Sequence, residues 1–271
     1  AMTVIGTWLI SGHKFNCQKD GRRAPQASVC SGEKPTPLDV TQDLEIRPSF
    51  STPGVAGLYL DLMKRVLLDA VYENDLEARQ RQKIGLGWPG RAHTMIGMQR
   101  LDNLHQLADE VIKKNISGDF MEAGAWRGGA TILMRAILEA YGIADRAVWV
   151  ADSFEGLPAP DDEKFPMDKG SEYHLDDSLA VSLGQVQVHF NRYGLLDAKV
   201  KFLKGFFKDT LPSAPIKQLA LLRIDVDMYQ STMEALEYLY PKLSAGGYVI
   251  IDDYDLIPAC RQAVDDYRAK N

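Results

Sequence analysis

From residue 117 onward, short apolar runs alternate with segments of helical length, and this alternation constrains the chain more than any other feature. DFMEAG (119–124), AVWVADS (147–153), KVKFLKG (199–205), LALLRID (219–225) and GGYVIIDDY (246–254) read as strands. GATILMRAILEAYG (129–142), a segment near 176–192, STMEALEYLYPKL (231–243) and PACRQAVDDYRAK (258–270) read as helices. Runs that are apolar throughout, rather than at every second residue, belong to strands covered on both faces. The pattern therefore predicts an α/β fold, a mostly parallel Rossmann-like sheet with helices on both sides.

The first 116 residues read differently. Thr3–Ile10 is β-branched and aromatic enough for a short strand. Residues 11–54 are rich in Gly, Pro, Ser, Lys and Asp with no helical period, which predicts a long arm or lid. From Gly57 a helix begins, with Leu58, Leu62, Val66, Leu67 and Ala70 at helical spacing. Residues 80–93 read as a basic loop broken by Gly and Pro, and a second amphipathic helix runs from Gln99 to Lys114. The expected organisation is thus an N-terminal arm (1–54), a helical cap (55–116) and a core (117–271).

With 31 Lys+Arg against 37 Asp+Glu, the net charge of −6 argues against nucleic acid as a partner. No apolar run approaches the roughly 20 residues that cross a bilayer, and no secretory leader is read. Cys17, Cys30 and Cys260 are odd in number and far apart, which suggests reduced thiols. The expectation is a cytoplasmic protein with no membrane partner.

In an open parallel sheet, ligands bind beyond the carboxyl ends of the strands. Those ends carry Glu122 followed by AGAWRGG, then Asp152-Ser153, Gly205-Phe206-Phe207, Asp225-Val226-Asp227 and Asp252-Asp253. The first turn is glycine-rich and opens a helix, so backbone N–H groups there can approach a ligand. It is not G-x-G-x-x-G, because Trp126 and Arg127 interrupt it. An acid ending the second strand is a partner for two ribose hydroxyls, and Glu122 can hold an ammonium group. That pair of acids fits S-adenosylmethionine better than a dinucleotide. Phe206 and Phe207 either stack near adenine or fill the core.

Asp225 and Asp227 sit two residues apart at one strand end, and Asp252-Asp253 end the next strand in sequence. Two like charges about 4 Å apart repel by roughly 4 kcal/mol at an effective dielectric of ~20. Such crowding calls for protons or a cation. Hard oxygen donors without His or Cys suit Mg²⁺, Mn²⁺ or Ca²⁺.

The segments AHTMIGMQRLDN, DFMEAGAWRGGA, WVADSFEGLP, LLRIDVDMYQSTMEAL and YPKLSAGGYVIIDDY, in that order, resemble the macrocin O-methyltransferase family, its noviose branch in particular. The likeness runs from about Leu58 to Lys270. It implies a class I S-adenosylmethionine-dependent methyltransferase fold, S-adenosylmethionine and Mg²⁺, and a sugar hydroxyl of an antibiotic or other natural-product glycoside as acceptor. Carried over by motif, Asp225, Asp252 and Asp253 match the metal ligands and Asp227 the general base. Glu122, Gly124, Trp126, Arg127, Gly128, Asp152 and Ser153 fall in the cofactor motifs, and Thr94, Met95 and Ile96 in a segment that covers the cofactor. The resemblance also implies a homo-oligomer, a dimer or larger. Val226 stands where the family usually has glycine, and its Cβ is expected to narrow the pocket. No strand is read after Lys270, although the fold normally has two more, and Thr3–Ile10 is a candidate to cover that sheet edge. Rival readings are a catechol-type O-methyltransferase and a cofactor-binding homologue without turnover. Acceptor specificity is expected to sit in the arm, the 154–175 loop and the oligomer contacts, and Asp161-Asp162-Glu163 is expected to be a solvated face.

Overall fold

In a computed structural model, which describes residues 48–73, 75–86 and 90–271, the strands lie where their apolar runs place them. They are β1 (Asp119–Ala123), β2 (Val148–Asp152), β3 (Val200–Lys204), β4 (Leu219–Ile224) and β5 (Leu243–Ile251), all parallel, in the order β3-β2-β1-β4-β5. The chain order reverses between β1 and β4. Crossovers leave those strands in opposite directions there, and a cleft opens beyond their carboxyl ends. The early part of the chain forms α1 (Val55–Leu67), α2 (Leu76–Ile84) and α3 (Gly97–Lys113). The core adds α4 (Gly129–Ala140), α5 (Leu183–Arg192), the single turn α6 (Phe207–Thr210), α7 (Tyr229–Leu239) and α8 (Pro258–Lys270).

Alternate strand residues feed two apolar clusters, one on each face of the sheet. Phe120, Val148, Val150, Leu221 and Ile250 join α1, α3, α4 and α5 on one side. Met121, Trp149, Ala151, Leu222 and Ile251 join α7 and α8 on the other. Burying one such aliphatic or aromatic side chain contributes about 1.5–3 kcal/mol, so this double-sided layer is the main source of stability. Cys260, buried in the second cluster, forms no disulfide. No described helix is long and apolar enough to cross a membrane.

Four expectations need correction. First, only part of the expected apolar stripe of α1 faces the core. Leu58 is 73% and Leu62 55% exposed, while Leu67 of that stripe turns inward together with Leu60, Met63 and Lys64. The buried lysine hides the inward face from an apolar pattern. Its ammonium is matched by Asp102 at 2.8 Å and by the Phe50 carbonyl at 2.7 Å, so a charged residue occupies an inward position. Second, residues 80–84 are not loop but the end of α2. Asp75 caps that helix by accepting from the Ala78 N–H at 2.9 Å, and Gly85 ends it with φ 72. The helix is so polar that no apolar period betrays it. Third, the helix read near 176–192 starts only at Leu183. Ser182 and Gln185 form a reciprocal capping box there, and short 3₁₀ turns at Tyr173–Leu175 and Asp177–Leu179 precede it. Fourth, the end of the arm is pinned to the core. Ser49 donates to Asp102 from both its N–H and its Oγ, and Thr52 pairs with His105 and Tyr141. The expected strand Thr3–Ile10 and the arm before residue 48 lie outside the described residues. Among the described residues, β5 is an edge strand.

Candidate active site

Strand register sets the charged heart of the site. Glu122 on β1 lies beside Arg223 on β4, and Arg223 beside Ile250 on β5. Glu122 and Arg223 share the face of Phe120 and Leu221. Arg223, 2% exposed, donates from one Nη to Glu122 and, at 2.8 Å, to Asp225, and from the other Nη to Asp252. Helix α3 packs on this face and brings Arg100, which donates to the second oxygen of Asp252 at 2.5 Å. One row of side chains thus links the ends of three neighbouring strands.

Beyond this row, Asp225, Asp252 and Asp253 each offer an oxygen, and the three atoms lie within 4.8 Å of one another. Asp227 sits on the turn after β4 with φ 59, and its backbone N–H donates to Asp253 at 3.3 Å. The expected period-two geometry does not apply, because β4 ends at Ile224 and both acids belong to the turn. Burial, reinforced by Asp225 and Asp252, pushes the Asp227 carboxyl up to about 7. Burial and the neighbouring aspartates also raise Asp253 well above the usual carboxylate range. The five acids outnumber Arg100 and Arg223, so full ionisation would leave three negative charges uncompensated, and without a cation the raised Glu122, Asp227 and Asp253 carboxyls take up protons instead. Neither arginine was anticipated from sequence. Arg223 left a signal, a lone charge inside an otherwise apolar strand. Arg100 left none, since it reaches the acids only through the docking of α3. The donor set contains carboxylates without imidazole or thiolate, which suits a hard divalent cation.

A cavity of about 620 Å³ opens over the carboxyl ends of β1 and β4. Its wall includes Thr94, Met95, Ile96, Glu122, Gly124, Trp126, Asp152, Ser153, Phe206, Phe207 and all four aspartates of the cluster. Val226 also lines it and is 5% exposed. Arg127 and Gly128, expected in the same group, are not on this wall. Arg127 donates to the Gly90 and Ala92 carbonyls and lies over the Trp126 ring, and a Cβ on Gly128 would meet Val186 at 2.9 Å. Gly124 has φ 82, and a Cβ there would fall 1.8 Å from the Asp225 carbonyl oxygen, so only glycine lets the β1 and β4 exits touch.

The turn amides expected to meet a ligand are engaged within the protein. Gly124 N–H donates to Ala151, Gly128 to Ala125 and Gly129 to His93, while Ala125 and Trp126 donate to one oxygen of Asp152 at 2.7 and 3.2 Å. Asp152 therefore braces the turn, and its other oxygen accepts from the Phe154 N–H at 2.8 Å. Glu122 differs. One oxygen meets Arg223, and the other is buried with no hydrogen-bond partner. Burial pushes this carboxyl up to about 8 in spite of Arg223. Glu122 lines the cavity, and a cationic group brought there would satisfy its buried, unpartnered oxygen. His93 also lines the cavity, but its Nδ1 is tied to the Tyr193 hydroxyl at 2.7 Å and its ring lies 4.3 Å from that of His189.

The outer wall is the segment between β2 and α5. Leu157, Lys164, Phe165 and Tyr173 line the cavity from it, as does Asp161, although the 161–163 acids are exposed as expected.

Arg223→Met is expected to destabilise the fold by about 3–5 kcal/mol, because two buried carboxylates and the half-buried Asp225 lose a shared cation. Denaturant unfolding measures this, and Arg223→Lys, with the charge but not the fork, should fall between. A midpoint unchanged in Arg223→Met would mean the row contributes nothing.

A family model described as Macrocin-O-methyltransferase (TylF) matches residues 69–271. Demethyldecarbamoylnovobiocin O-methyltransferase of Streptomyces niveus is 50% identical over 237 residues, covering 83% of this chain and 90% of the relative. The 8-demethyl-8-(2,3-dimethoxy-alpha-L-rhamnosyl)-tetracenomycin-C 4'-O-methyltransferase of Streptomyces olivaceus is 49% identical over 230 residues, 81% and 87% of the two chains. Among solved structures, the O-methyltransferase NovP superposes with a TM-score of 0.77 at 50% identity, covering 79% of this chain and 91% of its own. The calicheamicin methyltransferase CalS11, at TM-score 0.53 and 18% identity over 87% and 90% of the chains, shares the fold.

Proposed function

The chain belongs to the macrocin O-methyltransferase (TylF) family, and from that premise we propose that it methylates a sugar hydroxyl of a natural-product glycoside with the help of a divalent cation. It is an O-methyltransferase of a family that uses S-adenosylmethionine. The acceptor class is supported by a relative at 49% identity whose name specifies a rhamnosyl-bearing tetracenomycin. The observation that carries the cation is the set of three carboxylate oxygens within 4.8 Å of one another on the wall of the cavity that also holds the glycine turn.

In this reading Asp225, Asp252 and Asp253 would hold Mg²⁺. Glu122 accepts from the ammonium of the cofactor through its unpartnered oxygen, and Trp126, Thr94, Met95 and Ile96 wall the same compartment. S-adenosylmethionine, when bound, supplies the methyl group, and the divalent ion, when bound, makes the acceptor hydroxyl more acidic. Asp227 takes up the hydroxyl proton, for which its carboxylate is free. The segment between β2 and α5 excludes water from the transfer and holds the acceptor oxygen in line, where much of the acceleration arises. Arg223 and Arg100 fix Asp252 from both sides, so the ligand set is pre-formed rather than gathered on binding.

Incubation with S-adenosylmethionine and Mg²⁺ tests the acceptor class. Methyl transfer to deoxysugar glycosides with none to catechols is the expected result. Methylation of catechols alone, or cofactor binding without any transfer, would replace this reading with one of its rivals.

A further inference from the structure

Helix α7 begins directly after Asp227, yet nothing local caps it. Its N-cap position is Met228, which has no capping group, and no side chain there accepts from the first amides. The missing acceptor comes from far upstream. Asp168, 3% exposed, accepts from the Tyr229 N–H at 2.6 Å with one oxygen and from the Gln230 N–H at 2.9 Å with the other. It makes no ion pair with any described residue, so a buried carboxylate is held by two backbone amides and the positive end of a helix. Ser, Thr or Asn at position 228 would cap the helix without burying a charge. A distant carboxylate adds something a local cap does not, a tether between two parts of the chain.

The parts it joins both face the cavity. On one side is the turn that carries Asp227 in a left-handed conformation at φ 59, with the Met228 N–H donating back to Val226 at 2.6 Å. On the other is the outer wall. Phe165 stacks at a tilt on Tyr229, 6.2 Å between ring centres. Lys164, Phe165 and Tyr173 all line the cavity that the aspartates line.

We propose that Asp168 is a positioning residue that fixes the wall formed by residues 161–176 and the backbone bearing Asp227 as one unit, setting the distance between acceptor and base. The inference rests on the reading of Asp227 as the base and of this cavity as the acceptor site. Asp168 touches neither substrate nor reacting atoms, and it acts only through the two elements it ties. It is not among the residues that the sequence motifs single out, because its partners lie 61 and 62 positions away.

Asp168→Asn and Asp168→Ala in the full chain test this well below their unfolding temperatures. In Asp168→Ala, kcat should fall about tenfold or more, the equivalent of at least ~1.4 kcal/mol, and the acceptor KM should rise. Affinity for S-adenosylhomocysteine should stay within about twofold. Asp168→Asn, which keeps one acceptor oxygen, should lie between. Amide hydrogen exchange in both variants should quicken across 161–176 and at residues 229 and 230. If Asp168→Ala does not fold, Asp168→Asn alone decides. A lower unfolding temperature with kcat and KM unchanged would reduce Asp168 to a stability residue and overturn the proposal. So would equal losses in cofactor affinity and kcat, or unchanged exchange at 161–176. A wild-type protein that methylates no glycoside would instead sink the functional reading, and the exchange comparison would still judge the tether.

Discussion

Asp227→Asn is expected to lower kcat by roughly 10²–10⁴, the usual worth of a positioned general base, with little change in affinity for S-adenosylhomocysteine. Asp227 differs from its neighbours in how free its carboxylate is. Asp225 accepts from Arg223, and Asp252 is held at both oxygens by Arg223 and Arg100. Asp253 accepts from the Asp227 backbone. The side-chain oxygens of Asp227 accept no hydrogen bond from any described residue, so among the cluster it alone has its full proton-accepting capacity open to the cavity. Asparagine keeps the size and removes that capacity. Steady-state kinetics with calorimetry on the same samples checks both halves. Turnover within about threefold of wild type would assign the proton to another group or to solvent.

Asp252→Asn is expected to weaken divalent-cation binding by at least about tenfold, with activity partly restored by excess Mg²⁺. Two effects act in the same direction. A charged ligand is lost, and Arg100 and Arg223 lose their shared counter-ion and so present unbalanced positive charge to the incoming ion. The same change at a solvated acid would cost far less, since exposed pairs are worth only about 0–1 kcal/mol. Asp252 is 3% exposed, which places it among the strong cases. The structure also refines the charge argument made from sequence. The aspartates are crowded, but two guanidinium groups already relieve part of the repulsion, and a divalent ion would offset only what remains.

The readable part of the molecule follows from simple periodicity. Apolar strand runs located β1 to β5 to within a few residues, and their closing acids led directly to the cavity wall. Other features were hidden for identifiable reasons. Helix α2 has no apolar face, and its caps Asp75 and Gly85 are the only marks it leaves. The inward stripe of α1 contains Lys64, whose burial depends on Asp102, 38 residues away. Arg127 sits in the cofactor motif by sequence, yet its side chain turns to the carbonyls of Gly90 and Ala92. The glycine turn was read as a set of ligand-facing amides, whereas Asp152 and neighbouring carbonyls take them up. Local patterns find elements and strand ends, but which groups are already partnered is decided by tertiary approach.

The most direct test titrates Mg²⁺ into EDTA-treated protein, reading heat of binding and methyl transfer on the same preparation, with Asp252→Asn alongside. The account predicts one ion bound per chain, transfer that is negligible without it and rises along the same curve, and a curve displaced to higher Mg²⁺ in the variant. Full-rate methylation by the metal-free protein, or identical curves for the two proteins, would contradict it.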